Sequence, residues 1–175
     1  MRKLILLTLA LALAAIPACK RKRHPNPMAT VEEDSQLSSV VSMADTAAVS
    51  QLLSGFHALE QGAWRWTMKR FAVSLAVSDA ARTRGGRIEV KAVIPEVAAA
   101  QMTGAALTAS IDGEKLGPFR FDRAGEQTAV FDVPAKLLNQ MAVAVDFELD
   151  RAIEPSGQET RELGLIILQV SLAAK

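Results

Sequence analysis

The spacing of apolar residues changes character along this chain. Leu4 through Ile16 is an unbroken uncharged run of Leu, Ala, Ile and one Thr, opened by Arg2 and Lys3 and closed by Pro17, Ala18 and Cys19. From His24 to about Ala44 no period is evident. Prolines at 25 and 27, four serines and the acidic Glu32-Glu33-Asp34 give this stretch the composition of a flexible tether. Asp45 is placed to cap a short helix through Leu53, with Ala44, Ala48 and Leu52 on one side.

From Arg70 the period becomes two. Phe71, Val73, Leu75 and Val77 alternate with Ala72, Ser74 and Ala76, which predicts a half-buried strand. Arg84-Gly85-Gly86-Arg87 reads as a turn, and Ile88, Val90 and Ala92 form the next alternating run. Pro95 to Met102 reads as one helical turn or a loop. Leu107, Ala109 and Ile111 lead into Asp112-Gly113, a strong two-residue hairpin signal, and the chain returns through Leu116 to Phe119 and Phe121. Thr128 to Val133 predicts a strand stopped by Pro134, followed by a short helical turn at Ala135–Asn139. Val143, Val145, Phe147 and Leu149 give the cleanest alternation. Arg151 to Thr160 is a polar loop, and Leu163 to Leu172, apolar on both faces around Ile166-Ile167-Leu168, predicts a central strand. The expected fold class is all-β: an antiparallel β-sandwich, immunoglobulin-like or jelly-roll-like, of about seven or eight strands. No long helical period separates the strands, which argues against a parallel βαβ fold.

The N-terminal run is too short to span a bilayer, which takes about 20 apolar residues. Its charged start and small-residue end describe a secretory signal. Ile16-Pro17-Ala18-Cys19 resembles a bacterial lipobox, with Pro17 unusual at its position. The resemblance implies lipidation of the Cys19 thiol, cleavage before Cys19 and a membrane-anchored product. Lys20, in place of an aspartate after the lipidated residue, favours the outer over the inner membrane. The expected organisation is a signal peptide at 1–18, a lipidated cysteine and tether at 19–50, and a β-sandwich at 51–175. Lys20-Arg21-Lys22-Arg23 is either a solvated part of the tether or an aid to binding an anionic surface.

Charge narrows the partners. The whole chain carries 20 basic and 19 acidic residues. Beyond Arg23 there are 14 basic and 19 acidic residues, a net of −5. An acidic domain is a poor ligand for nucleic acid, whose affinity comes from neutralising phosphates. Cys19 is the single cysteine, so no intrachain disulfide can form and the fold rests on its core.

Three stretches form an ordered set: Gly55-Phe56-His57-Ala58-Leu59-Glu60 with Trp64-Arg65-Trp66-Thr67; Ile111 to Gly117 with Phe119-Arg120-Phe121; and Val133-Pro134, Phe147-Glu148-Leu149 and Arg161-Glu162-Leu163-Gly164-Leu165. Together they resemble a β-sandwich accessory domain found beside bacterial cell-envelope glycosyltransferases and phosphoglycerol transferases. The resemblance would cover about Leu52 to Leu172. It implies a fold and an envelope setting.

The candidate binding residues are Trp64, Trp66, Arg65, Glu60, His57 and Arg161. Two tryptophans two apart in a strand share one face. They either stack on a sugar ring, with Arg65 or Glu60 reaching hydroxyls, or plug one end of the sandwich; the scarcity of aromatics favours packing. Arg65 would then be free to pair with Glu60 or Glu162. His57 and Glu60 could form an acid–base pair, but no nucleophile stands in a recognisable context. His24 lies in the tether, so no metal site is expected, and no cofactor. Arg161 suits a structural role, satisfying loop carbonyls or a carboxylate such as Glu159 or Asp150. Gly164 marks a close backbone approach. The expected function is a lipid-anchored, non-catalytic envelope module contacting an envelope protein or a carbohydrate. A purely structural lipoprotein and an envelope glycan-processing enzyme are the alternatives.

Overall fold

The computed structural model describes residues 37–175, so the lipobox and Cys19 lie outside the described residues. Nine antiparallel strands build one sheet that wraps almost into a barrel: β1 (Val40–Ser42), β2 (Leu52–Phe56), β3 (Arg65–Ala76), β4 (Gly86–Ile94), β5 (Ala106–Ile111), β6 (Glu114–Arg120), β7 (Gly125–Val133), β8 (Ala142–Leu149) and β9 (Ile166–Ala174). The strand order is β6-β5-β8-β3-β9-β4-β7, with β1 on β9 and β2 on β3. The expected all-β antiparallel class holds.

The twelve-residue β3 is shared by both leaves of the sheet. Its start pairs with β9, Trp66 facing Ile166, and its remainder pairs with β8, from Arg70 opposite Glu148 to Ala76 opposite Ala142. Where β3 and β9 diverge, β1 fills the place on β9 and β2 the place on β3. At the far seam β6 lies against β7 without ladder hydrogen bonds. Gly117 makes that approach possible: a Cβ there would sit 2.7 Å from the Phe131 ring.

Alternation works as period-two patterning requires, with Ile88, Val90, Ala92 and Ile94 inward on β4 and Val143, Val145, Phe147 and Leu149 inward on β8. The aromatic centre is made of phenylalanine. Phe71 stacks on Phe147 at 4.9 Å, and Phe131 meets Phe147 at 6.2 Å. Each such fully buried side chain contributes about 1.5–3 kcal/mol relative to exposure. On β9 a register shift against β4 skips Leu168, so Ile167 and Val170 both point inward three residues apart. That irregularity, with Ile166 also buried, explains the run that is apolar on both faces.

Several local expectations are corrected. The packed structure starts upstream of residue 51: β1 joins the sheet, and Val41 and Met43 are buried in what the sequence suggested was tether. Asp45 does not cap a helix through Leu53. Its carboxylate accepts from the Ala47 amide at 2.9 Å, a short 3-10 turn covers Ala47–Gln51, and β2 follows directly. The Arg84–Arg87 turn is the end of a helix, α1 (Asp79–Arg84), whose N-cap Ser78 accepts from the Ala81 amide and whose C-cap Gly85 has φ 84°. Six residues are too few to show a helical period. A 3-10 turn at Glu96–Ala98 and α2 (Ala99–Met102) make up the expected helical turn, and Ala135–Leu137 is again 3-10. The last strand begins at Ile166, so Arg161 to Gly164 belongs to the loop before it.

Candidate functional site

The six candidate residues converge at the end of the barrel where β3 begins and β8 and β4 finish. Two segments meet there: the 57–64 turn before β3 and the 150–165 loop from β8 to β9. The 57–64 turn closes on itself through paired backbone bonds between Glu60 and Trp64. The long loop is pinned by a bridge between Ile153 and Leu163 and by one between Ser156 and Glu159.

Thr67 joins the two segments. It is fully buried, its amide donates to the Leu165 carbonyl, its carbonyl accepts from the Gly164 amide at 2.6 Å, and its hydroxyl accepts from the Leu165 amide at 3.1 Å. Gly164 is the close approach expected of it, since a Cβ there would lie 2.6 Å from Thr67 Oγ1 and 2.7 Å from the Met68 carbonyl.

Arg161 is the electrostatic hub. Its Nε and Nη2 both donate to the Glu159 carboxylate at 2.9 Å, and its Nη1 donates to Glu60 Oε1 at 2.7 Å. The planar guanidinium fork suits one bidentate and one monodentate carboxylate. These bonds hold the Glu159 carboxyl down, from an ordinary 4.5 to about 2, and push the Arg161 guanidinium above its usual range. Of the carboxylates proposed for Arg161, Glu159 is a partner and Asp150 is not. Asp150 instead accepts from the Ala106 amide and pairs with Arg151. Glu60 was missed as a partner because it is 101 residues away in sequence.

Arg65 pairs with neither Glu60 nor Glu162. Its Nη1 donates to the His57 carbonyl at 3.0 Å, because Glu60 is taken by Arg161 and Glu162 accepts from the Lys69 amide at 2.6 Å. His57 Nε2 lies 2.8 Å from the Glu162 carbonyl. Trp64 precedes β3 while Trp66 lies within it, and both are half-buried. Neither indole belongs to the phenylalanine core, and neither is fully exposed. Beside them Met68, Lys69, Arg70 and Glu162 line a shallow hollow of about 310 Å³.

The groups that acid–base chemistry would use are thus engaged with one another: both carboxylates on Arg161, the imidazole on a carbonyl. Among the described residues no group of three or more His, Cys, Asp and Glu side chains could hold a metal ion. Comparison with protein-family models found no match for the chain, and comparison with curated proteins found none either.

Proposed function

We propose that this chain is a lipid-anchored, non-catalytic binding or scaffolding module of the bacterial cell envelope, held at the outer membrane by acyl chains on Cys19. Its Glu60–Arg161 end is offered to a protein partner. The lipobox-like Ile16 to Cys19 supports the anchor. One observation carries the rest: the anchor side and the candidate site lie at opposite ends of β3. The chain joins the barrel where the Ala76 amide donates to the Ser38 carbonyl, at the end of β3, whereas the Arg161 cluster surrounds its start. Ten residues at about 3.3 Å each put roughly 30 Å between them. A tethered domain so built turns this loop cluster away from its attachment point.

A protein suits this end better than a glycan. Sugar stacking needs an open ring face, and both indoles are half-buried. The exposed Met68 beside Lys69, Arg70 and Glu162 offers the mixed apolar and charged surface of a protein contact. Engagement of Glu60, Glu159 and His57 in fixed bonds favours binding over catalysis.

The test is affinity purification of the lipidated protein from its own membranes, run beside Glu96→Lys/Glu154→Lys at the cluster end and Asp79→Lys at the opposite end. The reading expects one protein retained by the parent and by Asp79→Lys and lost from the double variant. Recovery of a glycan would change the partner class. A partner insensitive to both variants, or no partner under mild conditions, would overturn the reading.

A further inference from the structure

We propose that Arg65 is a carboxylate-binding residue: the 57–64 turn lifts, and an acidic side chain of the partner protein enters on the guanidinium edge that this uncovers. The inference rests on the protein-partner reading above and names the group that the partner presents. Among the described residues, two buried side-chain N–H groups have no hydrogen-bond partner. They belong to consecutive residues at the candidate site, Trp64 Nε1 and Arg65 Nε. A buried donor left unpaired is destabilising, and Arg65 is in addition a half-buried charge.

Arg161, in the same loop cluster, shows which group such an edge takes. Its Nη1 reaches one acceptor, Glu60, while Nε and Nη2 together hold the Glu159 carboxylate side-on. Arg65 repeats the first half of that arrangement, with Nη1 donating to the His57 carbonyl at 3.0 Å. The second half is not made, since Arg65 Nε meets no acceptor. The carboxylates of the cluster are already committed: Glu60 and Glu159 to Arg161, and Glu162 to the Lys69 amide. Two parallel N–H groups that carry a positive charge match a carboxylate better than a neutral carbonyl, so the acceptor that completes Arg65 is a carboxylate from outside the domain.

Both N–H groups are closed to solvent, so an entering carboxylate has to displace a segment. The 57–64 turn is fastened lightly enough to be that segment. Its backbone bonds between Glu60 and Trp64 are internal, and none of its residues is fully buried or part of the hydrophobic core. Two side-chain contacts tie it to the 150–165 loop: the half-exposed Glu60–Arg161 pair, and His57 Nε2 against the Glu162 carbonyl. The Arg65 guanidinium lies against this turn through the His57 carbonyl. Segments with few buried apolar contacts open at small cost. A ligand that supplies the missing acceptor binds the open arrangement better and shifts the population toward it.

The experiment follows the full lipidated chain, isotope-labelled in detergent micelles, by NMR. It is titrated with a tri-glutamate peptide, with sodium chloride at equal ionic strength and with tri-galacturonate. The two tryptophans give two indole N–H resonances, assigned with Trp64→Phe. The Trp64 resonance should shift with the peptide and saturate, and the Arg65 Nε–H resonance should move with it. Arg65→Lys keeps the charge but loses the side-on edge, and should weaken binding by about ten-fold with the rest of the spectrum unchanged. Glu60→Gln removes one tie on the turn and should tighten binding. A shift that chloride reproduces, or that survives in Arg65→Gln, would overturn the subsite. Unchanged affinity in Glu60→Gln would overturn the lifting turn, and a preference for tri-galacturonate would overturn the protein source. Arg65→Gln is then carried through the purification from native membranes. A protein kept by the parent and lost from this variant supports the assignment. A protein held equally by both overturns the subsite and leaves the partner standing, whereas a saturable peptide shift with no protein recovered overturns the partner reading and leaves the subsite.

Discussion

The two ends of the barrel are held by different chemistry. Where the chain joins, one neutral side chain and backbone bonds from Ala76 and Leu172 fasten the Ser38–Ser39 segment, with the Lys136–Glu114 and Lys175–Asp132 ion pairs exposed at the same end. Gln51 is 3% exposed; its Nε2 donates to the Ser38 and Ser74 carbonyls at 2.9 and 2.7 Å, and its Oε1 accepts from the Ser38 amide at 2.9 Å. At the opposite end the 57–64 turn and the 150–165 loop are joined by ionised groups around Arg161, over the buried Thr67–Gly164 contact. A buried amide clamp is indifferent to salt and pH, whereas a half-exposed ion network responds to both. A chain pulled by its tether would load the first, and a partner would meet the second.

The largest effect should come from beneath the ionic end. Gly164→Ala drives a methyl group into Thr67 Oγ1 and the Met68 carbonyl, neither of which can move without breaking the β3 start. It should destabilise the domain by about 3 kcal/mol in urea unfolding. A cost below about 1 kcal/mol would mean that the loop shifts freely and that the end is less rigid than its hydrogen bonds suggest.

Gln51→Ala should follow. It takes this partner from the part-buried Ser38 amide and Ser74 carbonyl, while the Ser38 carbonyl keeps the Ala76 amide, at a cost of about 2 kcal/mol. Hydrogen exchange should speed up at Val41 and Met43 while Thr67 and Leu165 keep their protection. Loss at both ends together would break the comparison.

The ionic end should show its own pH signature. Glu159 has its carboxyl lowered to about 2 in the folded protein, so its contribution to stability is complete above the unfolded value of about 4.3. That contribution is lost as pH falls from there through about 2. Carboxyl resonances followed by NMR should give Glu159 a midpoint near 2, and Arg161→Gln should return it to the ordinary carboxylate range. An unchanged midpoint in the variant would assign the shift to something other than Arg161.

The smallest effect belongs to the sheet face between the ends. Arg70 and Glu148 pair at 2.7 Å, but their side chains are well exposed. Arg70→Gln should leave the thermal midpoint within error, and a clear drop would show that ion pairing matters beyond the Arg161 end.

The strands were legible where alternation was clean. Ile88–Ala92, Leu107–Ile111 and Val143–Leu149 announced β4, β5 and β8 because one face is core and the other solvent. Asp112-Gly113 announced its hairpin because positive φ is easiest at those residues, and both adopt it, at 50° and 81°. β1 was hidden: three residues ending on a serine, with only Val41 fully buried, carry too little pattern to register. Helix α1 was hidden by its length. In the site, Gly164, Thr67 and the Glu159–Arg161 pair were local enough to suspect. The tie from Arg161 to Glu60 and the clamp from Gln51 to Ser38 and Ser74 had no sequence signal, since each joins segments that only the fold brings together.

The sequence by itself determined the β class, the inward faces of the long strands and the net acidity of the chain beyond Arg23, because period and charge are properties of order and composition alone. Only the tertiary structure decided which end of the barrel receives the chain and which gathers the candidate residues. That placement depends on the direction each strand runs, which antiparallel pairing in this order fixes and local residue patterns do not.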